Sequence, residues 1–326
     1  MAYATKAAAP AEAIAPAGRL TRRGLEIALG GLWLLDGVLQ FQPYMFTHAF
    51  FSDMLSMANM GLPGPVSTAI FKITTLLTWQ PVFWNALFAT LQVAIGIGLI
   101  WRHTARLARL VSIPWALGVW VIGEGVGALF MPGTSGLNGA PGAALLYAVL
   151  AVLLWPRRRD GMADGGGLDG QTAADAGLLG RRGALWCWTV LWAGLAALEL
   201  APANHTAVVP AGEAFGVAAG EPGWLAAINH QASQLLAGRG TTFAIASGLA
   251  MLAIAVGVWR SRRAALAAGL ILAVFYGLVG QDFGGLLTGR ATDPGTAPLL
   301  ALLALALWPR RPIRSDDIHP DIPQAG

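Results

Sequence analysis

Eight apolar runs dominate this chain, at about 25–43, 82–101, 108–130, 142–155, 184–201, 241–259, 264–288 and 297–308. Several approach the roughly 20 residues that cross a bilayer. The fourth and eighth lie at the short limit of a span. Both end in Trp-Pro-Arg-Arg, at 155–158 and 308–311: Trp suits the membrane interface, Pro stops a helix, and Arg seeks the aqueous side or the lipid phosphates. Only 12% of the 326 residues are charged, against roughly 25% in a soluble domain, which is too few to solvate a soluble enzyme of this size. The 56% hydrophobic content equally excludes a disordered chain. The single cysteine, Cys187, excludes an intrachain disulfide and any Cys-built zinc or iron–sulfur site.

The charges set the orientation. With both termini cytoplasmic, 18 of the 21 Lys and Arg fall in cytoplasmic pieces, and only Lys72, Arg239 and Arg290 fall in outer loops. This is the positive-inside pattern. It predicts a multi-pass protein of the plasma (inner) membrane, with the lipid bilayer as its first partner. The net charge of +4 is then a topology signal. No nucleic-acid partner is expected, because the arginines are scattered over short segments.

The two halves of the chain match. Trp33 and Pro43 recur as Trp192 and Pro202, Gly61-Leu-Pro-Gly64 as Gly220-Glu-Pro-Gly223, and Trp101-Arg102 as Trp259-Arg260. Gly123-Glu-Gly-Val-Gly127 recurs as Gly280-Gln-Asp-Phe-Gly284, and Pro141-Gly142 as Pro294-Gly295, while the offset drifts only from 159 to 153. Shared order and near-constant offset predict an internal duplication. Four spans per unit is an even number, so both units enter the membrane in the same sense and the repeat axis runs along the membrane normal. The expected fold class is therefore an all-α polytopic membrane protein, with eight transmembrane helices as two parallel-oriented four-helix repeats. The expected divisions are a disordered tail at 1–18, a first repeat at 19–159, a flexible Gly- and Asp-rich cytoplasmic linker at 160–182, a second repeat at 183–313 and a cytoplasmic tail at 314–326. Arg22-Arg23 before an apolar run imitates a signal peptide. The second unit opens on an equivalent span mid-chain, so this segment is expected to be retained.

The long outer loops, 44–81 and 203–240, are not purely polar. Residues 48–60 and 65–78 suggest short amphipathic helices over the outer mouth of the bundle or in the membrane interface. Lipid contact accounts for them; a lid over a site is the alternative.

The order Arg23-Gly-Leu-Glu-Ile-Ala-Leu-Gly-Gly-Leu-Trp33, then Gly61-Leu-Pro-Gly64, then Leu91-Gln-Val-Ala-Ile-Gly-Ile-Gly-Leu-Ile-Trp-Arg102 resembles the DoxX/DoxD-like membrane proteins. The likeness covers most of 20–130 and, more faintly, 183–288. It implies a four-helix unit associated with redox chemistry, including thiosulfate:quinone oxidoreduction in some members. The chain departs from the family pattern at Gln92 and Ala250, where Glu is frequent, and at Gln40-Phe-Gln-Pro43, which replaces a usual Lys.

Polar residues within spans are costly and mark candidate sites. Counting about 1.5 Å per residue from the cytoplasmic start of each helix, Asp36 and Gln92 fall near mid-bilayer. Gln40, Glu124, Glu199, Gln281 and Asp282 fall in the outer half. Gln40 aligns with Glu199, and Glu124 with Gln281, so both units place a carboxyl or carboxamide at the same two levels. These residues predict a polar pocket opening outward. With Trp120 and Tyr276 it suits a quinone head group, and equally a proton or a small polar solute. The alternative is that the same groups hydrogen-bond helix to helix.

Gly123/Gly127 and Gly280/Gly284 read as GxxxG pairs for close helix contact, and Gly133–Gly142 as a tight outer turn. None of the five histidines, His48, His103, His205, His230 and His319, lies in a span, which disfavours a membrane-embedded bis-His haem. The outer-loop histidines match no ligand spacing, so no metal site is expected. The chain is thus expected to be a redox-associated membrane subunit that binds quinone or relays protons, in company with other membrane or peripheral redox subunits. A small-solute transporter or channel and a non-catalytic scaffold are the alternatives.

Overall fold

The structure is a computed structural model and describes residues 21–157, 172–216 and 220–309. The expected tails at 1–18 and 314–326 lie outside these residues, as does most of the linker. The described residues are helical. They hold no strand, only an isolated bridge between Pro156 and Gly177.

The first half runs α1 (Arg22–Leu39), α2 (His48–Asn59), α3 (Gly64–Trp79), α4 (Pro81–Ile100), α5 (Ala105–Ile122) and α6 (Ala143–Leu153). The second runs α7 (Gly180–Glu199), α8 (Val209–Gly216), α9 (Gly223–Leu236), α10 (Gly240–Arg260), α11 (Arg262–Leu278), the one-turn α12 (Asp282–Gly285) and α13 (Thr296–Ala306). Local chemistry sets several starts. Thr21 Oγ1 accepts the Gly24 N–H at 2.9 Å to cap α1, and Thr47 Oγ1 caps α2 through Phe50 N. Pro81 opens α4, where a missing N–H costs nothing.

Three helices, α4, α5 and α10, are long and apolar enough to cross a membrane. The others fall short for identifiable reasons. Four charged residues (Arg22, Arg23, Glu26 and Asp36) lie within α1, and α7 carries Arg181, Arg182 and Glu199. At 17 residues, α11 is shorter than a full span, and α6 and α13 have 11 residues each.

Packing follows the small residues. α1 lies on α4 so closely that a Cβ on Gly96 would meet the Gly30 carbonyl oxygen at 2.8 Å. Such backbone contact needs glycine on both helices. α7 packs on α10, α5 on α6, and α11 on α13. The short, almost wholly buried α6 and α13 also pack on each other, and α13 reaches α1. The core therefore runs through both halves, with Leu29, Trp33, Tyr147, Leu150, Trp188, Trp192, Leu299 and Leu303 all buried in it.

Two sequence expectations are corrected here. The apolar runs 108–130 and 264–288 do not continue as helices, and their glycines are not GxxxG contact pairs. α5 stops at Ile122 and α11 at Leu278, and the backbone then turns left-handed, with Gly127 at φ +63° and Gly284 at φ +71°. A side chain at Gly127 would collide with the Pro141 carbonyl, and one at Gly284 with the Asp293 carbonyl. These glycines bring the chain back against its own return loop. The end of the linker is also packed, not free. Thr172, Ala173 and Ala174 are buried, the Ala174 N–H donates to Ala306 O at 3.0 Å, and α7 already starts at Gly180.

Candidate functional site

A cavity of about 360 Å³ lies in the first half, enclosed by α1, α4, α5 and α6 and covered by α2 and α3. Its walls are mostly apolar and aromatic: Trp33 from α1, Phe50 and Met54 from α2, Ile73, Leu76 and Leu77 from α3, Trp84 and Phe88 from α4, Trp115 and Val119 from α5, and Tyr147 from α6. The α2–α3 pair is thus a cover over this cavity, which favours the lid over simple lipid contact. Leu76 lines the cavity and is also half exposed on the outer surface, so one wall gives onto the apolar exterior.

Polar groups are set into these walls at a few points. Asp36 and Gln40 share one face of α1, four residues apart, and both are buried. Gln92 faces them from α4. Glu124 follows the end of α5, and its Oε1 accepts the Ala144 N–H at 2.9 Å. That bond caps the N-terminus of α6, where the helix dipole favours negative charge. Tyr147 stands beside Asp36, with its ring 4.3 Å from that of Trp33.

Asp293 and Thr292, from the second half, complete the rim. The Asp293 carboxyl accepts the Gly295 N–H at 2.8 Å and the Thr292 hydroxyl at 2.8 Å. Burial holds its pKa above the usual carboxylate range. Asp36, Glu124 and Asp293 are near enough to one another to interact electrostatically.

Seven polar atoms on these walls are buried and make no hydrogen bond of ordinary geometry, although the Tyr147 hydroxyl and the Asp36 carboxyl lie against each other. The potential donors are Trp33 Nε1, Trp115 Nε1 and Tyr147 Oη; the acceptors are Asp36 Oδ1, Gln40 Oε1, Gln92 Oε1 and Glu124 Oε2. Native proteins leave few such groups, because each costs roughly 1–3 kcal/mol. These seven lie together on the walls of one cavity.

The nine residues singled out in the sequence divide between the halves. Asp36, Gln40, Gln92 and Glu124 meet at the cavity. Trp120 does not line it; its Nε1 donates to Pro141 O at 2.7 Å and anchors the return loop. Glu199 accepts the Ser247 hydroxyl at 2.8 Å in the second half. Gln281 plays the part of Glu124 there, its Oε1 accepting from Thr296 N at 3.1 Å at the start of α13. Asp282 is paired with Asn229. Tyr276 packs under Gly136.

Loop 133–140 of the first half packs against the second: Leu137 is fully buried, and the Gly136 carbonyl accepts from Gln281 Nε2 at 2.8 Å. The docking is reciprocal. Asn204 Nδ2 donates to Thr134 O at 3.0 Å, and Gln42 Nε2 donates to Ala291 O at 3.2 Å. Position 195, 159 residues after Asp36, is Leu.

Sequence reasoning missed Trp33, Trp115, Tyr147 and Asp293 as site residues. Tyr147 carries a usable signal, being the one polar-tipped side chain in its apolar run. Asp293 carries little, because its role depends on a loop crossing between halves. Among the described residues no group of three His, Cys, Asp or Glu is placed to hold a metal ion. No family model, curated protein or solved structure matches this chain.

Proposed function

We propose that this chain is an eight-span subunit of the DoxX/DoxD-like kind, built of two parallel-oriented four-helix repeats in the plasma membrane. Its first repeat binds a quinone-type head group and exchanges protons with it. The observation that carries the binding reading is the set of buried polar atoms around the cavity that make no hydrogen bond of ordinary geometry. Indole N–H and phenol O–H groups suit the carbonyl oxygens of a quinone. Carboxylate and carboxamide oxygens suit the hydroxyls of the corresponding quinol. The aromatic walls match a flat ring, and the half-exposed Leu76 edge suits the passage of an isoprenoid tail. Asp36 and Glu124 are the proton-exchanging groups, and electrons would be exchanged with a partner redox subunit.

The repeat reading is supported by the same succession in both halves: a long helix, a 3-10 turn opening on Pro43 or Pro202, two shorter helices, two longer ones, a left-handed turn and an 11-residue helix. The transporter reading is less favoured because Leu29, Leu99 and Leu150 are packed in the core and the buried Glu26–Arg109 ion pair ties α1 to α5 at the arginine-bearing end. A pure scaffold explains Glu124 and Gln281 as helix caps, but leaves Gln92 Oε1 without a role.

The test is calorimetric titration of the full chain in nanodiscs with short-tailed benzoquinone and naphthoquinone analogues. Micromolar binding of at least one, lost on replacing Asp36 by Leu, is the expected result. No heat of binding from either analogue up to its solubility limit overturns the reading.

A further inference from the structure

A second cavity, also about 360 Å³, lies beyond Glu124 and Asp293. It sits between the two halves and is walled largely by backbone, where Gly127, Gly139, Gly142, Gly280, Gly284 and Gly295 present no side chain. It opens to solvent and is large enough to hold water. Asn138, exposed on the surface, lies at its edge. Three residues are shared with the walls of the ligand cavity: Glu124, Ala143 and Asp293. Two of the three carry carboxyl groups, and the third contributes only a methyl.

We propose that the glycine-walled chamber is a water-filled proton passage between the ligand cavity and the outer face, with Glu124 and Asp293 as the carboxyls that carry protons through the shared wall. The inference deepens the proposed function but does not require that the ligand be a quinone. Each half of the molecule supplies one of the two acids, so the passage exists only because the loops cross. Glu124 is suited to transfer because its Oε1 is fixed on Ala144 N–H and the residue lines both cavities. Asp293 is held by Gly295 N–H and the Thr292 hydroxyl at its two oxygens, which keeps it turned to the wall. Burial raises its pKa, so it can hold a proton nearer neutral pH. In each transfer one O–H bond breaks and another forms: from the cavity to Glu124, to Asp293, then to chamber water. No electron moves.

The experiment uses the full chain in nanodiscs with Cys187 replaced by Ser. The infrared carbonyl stretch of the protonated Glu124 carboxyl, identified by its loss in Glu124→Gln, is followed after a rapid step into D₂O. The expected result is prompt exchange, slowed at least tenfold in Asp293→Asn, which retains an oxygen for the Gly295 N–H. Ala143→Cys should react with a small charged methanethiosulfonate, and the adduct should slow exchange of the same band. Unchanged exchange in Asp293→Asn, or an unreactive Cys at position 143 in a folded protein, overturns the proposal. Absence of quinone binding with the exchange behaviour intact overturns the proposed ligand alone.

Discussion

Arg109 Nη2 lies 2.9 Å from Glu26 Oε1, and both side chains are only 5% exposed. The pair joins α5 to α1. Arg109 also donates to Leu154 O at the end of α6 at 2.9 Å, and Arg23 bonds Glu26 together with the Leu99 and Ile100 carbonyls at the end of α4. Four helices are therefore pinned at the arginine-bearing end of the first half. Breaking a buried pair by removing one partner costs about 3–5 kcal/mol, because the other charge is left unpaired. Glu26→Gln and Arg109→Met should each lower the thermal midpoint strongly in detergent. The double variant Glu26→Leu/Arg109→Met should recover most of the loss, since the buried charges go together and Arg23, a third exposed, keeps the Leu99 and Ile100 carbonyls.

Gly118 lines the cavity, and a Cβ there would meet nothing within 4 Å. A larger side chain can thus enter the cavity without displacing the core. Gly118→Leu should keep or raise stability, as glycine costs about 1 kcal/mol in a helix, and should abolish quinone-analogue binding. A folded Gly118→Leu protein that binds as well as wild type would move the site elsewhere.

Gln92 is buried with its carboxamide oxygen unpartnered. Gln92→Leu removes that penalty, so the variant should gain on the order of 1 kcal/mol while losing about tenfold in ligand affinity, as expected where a site holds groups against stability. Differential scanning and titration on the same sample check both halves of this prediction.

Glu213 on α8 takes hydrogen bonds from Ser135 Oγ (3.1 Å) and Asn138 Nδ2 (3.0 Å) and so ties the crossing loop to the second half. Burial pushes its pKa from 4.5 up to about 7. The folded protein then binds a proton that the unfolded chain has already released between these values. Stability should accordingly be greatest below about 4.5 and fall as pH rises toward about 7. Glu213→Gln should flatten that slope in pH-dependent unfolding, and an unaltered slope would assign it to another group.

Gly127→Ala should destabilise far more than Gly31→Ala. Gly127 has φ +63° and its missing Cβ would strike the Pro141 carbonyl, whereas a Cβ at Gly31 meets nothing within 4 Å. The comparison of the two expression levels and melting curves is direct.

Much of the architecture is legible in the order of residues. Helix starts at Pro81 and Gly240, and the short helices ending near Trp155 and Trp308, follow from apolar runs and their stops. The alignment of Glu124 with Gln281 marks two residues that perform the same task, capping α6 and α13.

What hydropathy could not reveal is where the apolar runs cease to be helical. Gly123–Gly127 and Gly280–Gly284 look like contact glycines within helices, because spacing does not encode the sign of φ. Only packing against the return loops forces Gly127 and Gly284 left-handed. The tertiary structure alone also carries Asp293 to the first half and Gly136 to the second, since a loop's destination depends on long-range hydrogen bonds such as those of Asn204 and Gln42. The sequence by itself determined an apolar helical chain with a few buried carboxyls. Which of those carboxyls share a cavity was decided by the crossing of two loops, because hydrogen bonds and close contacts between distant segments are not a property of any local run of residues.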